Sequence, residues 1–558
     1  MHEKQFNQSR QTMATSASSP SSTDGSLPCV IQVGFAGSRR LFPGELDDDS
    51  RQRLEQELQQ RLHWHLQALV EEAGAGRFLC GLSQVAIGGD TLFTRACRQG
   101  GIPQRIFLPQ PEQDFLHAAD PDGTPDFTPA QRQQAEALLN SDHIIECRVV
   151  SHARRRNIRF EDANWAIVQE SDLVICLRNA DDGARPGGTT HLLELARQLG
   201  LPVLDIRVAL RDGALQLQEQ RHGFDHWSPP ALPAVLDDLA TPVAAGEVPS
   251  VRQFAETIKR HADQKAERER KRFESIAGVV IITHILATLL ATLVLATHGE
   301  AHGHAFPWLP VALLAAELGV LGWGYGAHRR MHHANPSKPW ALSRLVTEIN
   351  RSVAALGHLR MPLDYLFRLR LPEELRPLLR TLNVLHLHHG RNNPPADWQA
   401  LRDAYLRERL TDPDPAQGQI AYYDGKIRKE QRALRRADRL FNGLSIAAIA
   451  AVGVKLATVA GLIHWPAPMA AMLPQALGVL AVVLPVLAVG VLSWAAAQDY
   501  EGRIATFSEM RRFLQRQEKA LRGLRSRRGL HQRVEETELA LLGETAEWYA
   551  RRSHGKVV

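Results

Sequence analysis

Cysteine is scarce in this 558-residue chain. Cys29, Cys80, Cys97, Cys147 and Cys176 lack any CxxC spacing, which argues against a disulfide framework or a cysteine-rich metal centre and fits reduced cytosolic thiols. Excess charge is also small. The formal net charge is +5, so a uniformly basic nucleic-acid surface is not expected, and neither is a nucleic-acid partner. No apolar signal segment opens the chain; residues 1–28 are polar and rich in Ser, Thr and Gln, the composition of a disordered leader. Histidines gather at His386, His388 and His389 and at His298, His302 and His304. Without Cys or acidic partners they do not make a metal site, and no cofactor is expected.

Long apolar runs are absent from the first half of the chain and concentrated in the second. A bilayer span needs about 20 apolar residues. Four stretches qualify, at 276–297, 306–327, 444–463 and 470–497. The third is rich in Ala and Gly, and a buried helical hairpin competes for the last two. Basic runs flank these stretches: Arg268, Arg270, Lys271 and Arg272 before the first, Arg329 and Arg330 after the second, Lys426 to Arg439 before the third, and Arg511 and Arg512 after the fourth. The connections THGEAHGHAF and HWPAPMAA hold no Lys or Arg. The positive-inside rule then places both termini and the middle of the chain in the cytosol, on a multi-pass protein of the cell (inner) membrane. Glu317 and Lys455 fall inside predicted spans, each at a cost of about 2.5–3.5 kcal/mol on an insertion scale. Their similar depth fits a pore-lining pair; a structural ion pair or a snorkelling lysine fits equally well. Pro485 is placed to kink the fourth span.

Before residue 207 the pattern changes. Short apolar runs at 30–35, 83–87, 104–109, 143–146, 172–177 and 202–206 alternate with helical stretches such as 48–73 and 161–170. This predicts a Rossmann-like α/β domain with a parallel sheet. Three glycine-rich turns follow strands and open helices: Gly34 to Arg39, Gly88-Gly89-Asp90, and Pro186-Gly187-Gly188-Thr189. Glycine lets the backbone approach an anion, and free N–H groups at a helix start bind phosphate. At the carboxyl edge of a parallel sheet such turns converge on a ligand. The candidate ligand-binding residues are therefore Gly34, Gly37, Ser38, Arg39, Gly88, Gly89, Asp90, Gly187, Gly188 and Thr189.

The stretches GFAGSRR, GGDTLFTRAC and DLVICLRN…GARPGGTTHLLELA resemble the SLOG superfamily over about residues 29–207. That superfamily includes Smf-type proteins, Lonely-Guy phosphoribohydrolases and cytosolic sensor domains of channels. The resemblance implies a nucleotide or nucleotide-derived ligand. The phosphoribohydrolase branch carries PGGxGTxxE with a catalytic Glu. Here Glu194 fits the spacing, but Thr190 and His191 replace the second Gly and the Thr. Binding is therefore expected over catalysis, with Glu194 as the catalytic alternative.

Residues 208–249 read as a linker, 361–416 as a cytosolic helical connector, and 250–360 and 417–558 as two helix–span–span–helix units. These units resemble SLATT domains, two-span effectors of bacterial conflict systems. Trp340, Arg344, Glu348 and Arg351 look like the helix after such a hairpin. Tyr422, Tyr423 and Lys426 look like the helix before one. The resemblance implies a homo-oligomeric pore-forming effector in bacterial defence, opened by a nucleotide signal. A membrane-tethered hydrolase and a membrane scaffold with a non-binding α/β domain are the alternatives.

Overall fold

The computed structural model describes residues 27–554 apart from 43–45, 75, 120–124, 181–182, 184, 212–213, 240–249, 299–307, 335–336, 358, 360, 393–396, 416, 467–468 and 470–471. The expected leader lies almost wholly outside the described residues. Two compact units share the chain: Met1–Phe254 with Pro372–Pro394, and Ala255–Leu371 with Pro395–Val558.

Seven strands form the sheet of the first unit: β1 Cys29–Gly37, β2 Arg77–Ser83, β3 Gln104–Leu108, β4 Ile144–Val149, β5 Leu173–Asn179, β6 Val203–Arg211 and β7 Ala214–His222. Their order is β4-β3-β2-β1-β5-β6-β7. All neighbours are parallel except β6 and β7. Helices α1 Asp48–Ala73, α2 Gly89–Gln99, α3 Glu112–Leu116, α4 Pro129–Leu139, α5 Arg156–Glu170 and α6 Thr189–Gln198 connect the strands. The central strand β1 is apolar on both faces because both are covered. Ile31, Val33 and Phe35 pack with Leu58, Leu62 and Leu66 of α1 and Phe93 of α2. Phe35 and Phe93 stack at 4.2 Å. On the other face Val30 packs with Ile167, Leu192 and Val384.

Three sequence expectations need correction. The strand expected at 83–87 lies earlier, at Arg77–Ser83. Gly81 at its centre looks like a breaker, yet an added Cβ there would meet Cys97 Sγ at 3.0 Å and Phe93 at 3.1 Å, so glycine is what lets α2 pack on the strand. The boundary at 207 falls inside β6. The polar stretch after it forms β7, whose alternating exposed residues suit an antiparallel edge strand. The 361–416 connector is also divided. Its helix α11, Arg376–Asn392, docks on the sheet of the first unit and carries His386, His388 and His389. The Val30 N–H donates to Thr381 Oγ1 at 3.0 Å, Arg380 pairs with Asp172, Arg391 donates to the Asn140 carbonyl at 3.1 Å, and Val384 is buried. Among the described residues no group of His, Cys, Asp and Glu has a metal-holding arrangement.

The second unit is all helical. It contains most of α7 (Val251–His298), then α8 Leu309–Ala334, α9 Ser337–Leu356, α10 Asp364–Arg368, α12 Trp398–Tyr405, a π-turn at Leu406–Thr411, α13 Gln419–Val459, α14 Met472–Gln498, α15 Tyr500–Arg522 and α16 Arg527–His554. Among the described residues three helices are long and apolar enough to cross a membrane: Val251–Val294, Gln419–Val459 and Met472–Arg522. Their most apolar windows are only 11%, 11% and 6% buried, which removes the buried-hairpin reading of the last two. The stretch at 306–327 begins outside the described residues, and α8 is not among these three helices. Lys455 on α13 lies against Gly478 of α14, where an added Cβ would be 2.9 Å from its Nζ. Among the described residues no ion pair joins Lys455 to Glu317.

A buried ionic network ties several helices of this unit together. Arg409, in the π-turn, donates to both Glu538 oxygens, at 2.9 and 2.7 Å, and to Glu348 at 3.0 Å. Tyr405 donates to Glu538 at 2.7 Å, and Arg351 to Glu348 at 2.7 Å. Arg344 donates to the Tyr422 hydroxyl at 2.6 Å, and Tyr423 to Glu544 at 2.6 Å. Burial alone would raise the Glu348 carboxyl, but Arg351 and Arg409 hold it at about 2. Its contribution to stability is therefore present above the ordinary carboxylate range and is lost as pH falls through about 2. Breaking a buried pair leaves an uncompensated charge. Arg409→Ala is expected to cost about 3–5 kcal/mol, read as a lower melting midpoint of the full chain in detergent; an unchanged midpoint would show that the network is dispensable.

Candidate functional site

The sheet reverses its strand order between β1 and β5. In open parallel sheets ligands bind outside the carboxyl ends of the strands at such a switch point. Two of the three glycine turns meet there. An added Cβ on Gly37 would sit 2.4 Å from the Cα of Gly89, so two backbones touch where side chains normally intervene. Gly88 has φ +86, and a Cβ there would strike the Ser38 and Arg39 carbonyls at 2.5 Å. The Gly89 N–H donates to the Ser38 carbonyl at 3.0 Å, and the Ser38 N–H to the Leu177 carbonyl of β5 at 2.9 Å.

Asp90 fixes this arrangement. Its buried carboxylate accepts from the Gly37 N–H at 2.8 Å and the Ala86 N–H at 3.4 Å. Burial pushes this carboxyl up to about 7 despite those two donors and the nearby Arg39. Asp90 thus faces inward and clamps the turns rather than facing a ligand.

The third turn packs on α5. Gly187 has φ +77, and a Cβ there would meet Phe160 Cβ at 2.6 Å. Asn164, buried on α5, donates to the Gly188 carbonyl at 3.1 Å, lies 3.3 Å from His191 Nδ1, and accepts from Gln84 at 3.5 Å. It therefore ties the end of β2 to the third turn. Sequence reading missed Asn164 and Gln84. The available signal was a polar residue on the buried face of α5, between Ala163 and Ile167. Helices α2 and α6 both start here, at Gly88 and Gly188, and neither start has a side-chain cap. Thr190 Oγ1, at the second position of α6, is buried with no hydrogen-bond partner among the described residues.

Two candidates behave differently from expectation. Gly34 lies in the middle of β1, where an added Cβ would meet Ser171 Oγ at 2.2 Å; it serves strand–helix packing and does not line the carboxyl edge. Arg39 is not a free cation. Its guanidinium holds both oxygens of Asp126 at 3.2 Å, and Arg156 pairs with the same carboxylate. Burial would raise the Asp126 carboxyl, but Arg39 and Arg156 keep it below its usual range. Both guanidinium groups lie over Phe160, at 5.8 and 5.6 Å. A ligand phosphate at Arg39 would share or displace Asp126, an acid the motifs did not mark.

Glu194 is exposed on α6, among buried Leu192, Leu193 and Leu195. Two surface cavities of this unit lie away from the turns. One, of about 240 Å³, lies between α1 and the β6–β7 edge, lined by Trp64, Glu72, Glu219 and Arg221; its carboxylates are already paired with Arg61, His65 and Arg221. The other, of about 530 Å³, lies beside α3 and α4. At the turns themselves the N–H groups of Gly37, Ser38 and Gly89 are already bonded, to Asp90, Leu177 and Ser38. Compared with known proteins, the chain matches no family model and no curated protein.

Asp90→Ala removes the acceptor of two backbone N–H groups and is expected to cost about 1–3 kcal/mol in urea unfolding. Because the folded-state value is raised, Asp90 contributes fully below the ordinary carboxylate range and loses that contribution as pH rises through about 7. The penalty of the substitution should shrink over the same interval; a penalty that grows with pH would contradict a clamp that is protonated in its stable form.

Proposed function

We propose that the chain is a multi-pass membrane sensor whose α/β unit binds a phosphate-bearing, nucleotide-type ligand at the glycine turns, and that binding alters membrane permeability. The observation that carries this reading is the backbone contact of Gly37 with Gly89 beside two helix starts without side-chain caps. Such starts present N–H groups and the positive end of the helix dipole to an anion. The Thr190 hydroxyl, buried without a partner among the described residues in the first turn of α6, adds a donor beside the third turn. The SLOG-like motifs fall on these turns, which supports a nucleotide over a simple anion.

The permeability part rests on the SLATT-like resemblance and on the exposed apolar helices. We take the stretch at 306–327 as a fourth span, which keeps both termini and the basic runs on the cytosolic side. A pore needs several chains around it, so the functional state is a homo-oligomer in the inner membrane. A ligand acts by binding one of two states more tightly. A role in bacterial defence follows from the same resemblance.

The test uses the full chain in detergent and in liposomes. A panel of nucleoside mono-, di- and triphosphates and cyclic nucleotides should contain one class that raises the melting midpoint. A ligand at 100 times its dissociation constant adds about 2.7 kcal/mol. Arg39→Gln should weaken that ligand about tenfold or more through loss of a charge-assisted hydrogen bond. The same ligand should start ion flux from liposomes. A panel without any stabilising member, or flux that ignores the bound ligand, contradicts the proposal.

A further inference from the structure

The cytosolic half of α13 carries six exposed basic residues: Arg428, Lys429, Arg432, Arg435, Arg436 and Arg439. At about 100° per residue they fall within an arc of about 120° on one side of the helix. Tyr423, Ile427 and Glu430 are buried and lie on the opposite side. The helix has only three carboxylates in this half. Asp424 pairs with Arg511 at 2.8 Å and Glu430 pairs with Arg503, both on α15; Asp438 is exposed on a flank of the basic arc. Two of the three carboxylates that could neutralise the basic stripe within the helix are thus engaged elsewhere. Among the described residues none of the six basic side chains forms an ion pair.

The corresponding run on α7 is different. Arg270 pairs with Glu267 at 2.6 Å and Glu274 at 2.8 Å, Lys271 lies 3.7 Å from Glu267, and Arg272 lies 3.9 Å from Glu269. Two basic runs that look alike in the sequence therefore present different charge.

Helix α13 continues without a break into its apolar half. Ile446 is 67% exposed and sits on the same azimuth as the basic arc. Arg439 precedes it by about 10 Å of helix and Arg428 by about 27 Å. The headgroup layer is about 5–7 Å thick. Arg435, Arg436 and Arg439 therefore reach lipid phosphates by snorkelling. Arg428, Lys429 and Arg432 lie further out, in the anionic surface field and its decay over about 8–10 Å. We propose that the basic face of α13 is a binding surface for anionic phospholipid headgroups, and that the α7 run is not. This rests on the membrane reading above, not on the nucleotide site.

The test reconstitutes the full chain in vesicles of phosphatidylcholine with a minority of phosphatidylglycerol. Spin-labelled lipids report the relative association of the two headgroups with the protein. The unmodified chain should prefer phosphatidylglycerol by about threefold or more, with the preference falling as salt rises. Combined Arg428→Gln, Arg432→Gln, Arg435→Gln and Arg439→Gln should bring the ratio close to one, whereas the matching Arg→Lys set should retain it. Combined Arg270→Gln, Lys271→Gln and Arg272→Gln should leave it nearly unchanged. An inserted chain with no headgroup preference, or equal losses in the α13 and α7 glutamine sets, overturns this proposal alone. A chain stripped from the vesicles by alkaline carbonate overturns the membrane reading and this proposal with it.

Discussion

The contact of Gly37 with Gly89 leaves no space for a side chain on either residue, and the geometry of the sheet's carboxyl edge follows from it. The end of β1 and the start of α2 are drawn together until backbone meets backbone. A buried carboxylate, Asp90, then satisfies the N–H groups that this approach would otherwise orphan. With the first two turns fixed in this way, the starts of α2 and α6 have no side-chain cap, although the Gly89 N–H is taken by the Ser38 carbonyl. Polar surface of that kind, undisturbed by side chains, is what an anion can use.

The helical unit meets its own constraint with charge. Arg409 sits between Glu348 and Glu538, and the π-turn that carries it places the guanidinium within reach of both. Burying these groups is costly unless every charge is paired. The unit therefore tolerates few other arrangements of α9, the π-turn and α16. Apolar helices packed in lipid would have no such specificity available to them, because lipid tails and leucine side chains are equally apolar. A buried polar network supplies it.

Much of the α/β unit was legible in the sequence. The bounds of α1 at 48–73, the central strand, and the glycine turns that open α2 and α6 follow from apolar period and glycine placement. What escaped had physical reasons. Gly81 hid β2 because a strand glycine reads as a break until the helix packed on it is seen. β7 was hidden by its polarity, since an edge strand with exposed alternate residues resembles a linker. Helix α11 docks on the sheet from more than 140 residues after the last strand, and no local pattern announces a partner so distant. At the site, Asn164, Gln84 and Asp126 are long-range partners of the motif residues and carry no motif of their own.

The sequence alone determined the elements and their polarity: where apolar runs are long enough for a bilayer, where the period changes to that of a parallel sheet, and where glycine stands between a strand and a helix. These are properties of neighbouring residues, set by backbone sterics and by the helical and strand periods. Only the tertiary structure decided which groups are already committed. It turned Asp90 inward, gave Arg39 to Asp126, placed Gly34 in the interior of a strand, and paired Arg270, Lys271 and Arg272 of α7 with carboxylates while leaving the basic stripe of α13 without ion pairs among the described residues. Pairing is a matter of distance between side chains remote in sequence, and charge or hydrogen-bonding capacity is free for function only after that pairing is complete.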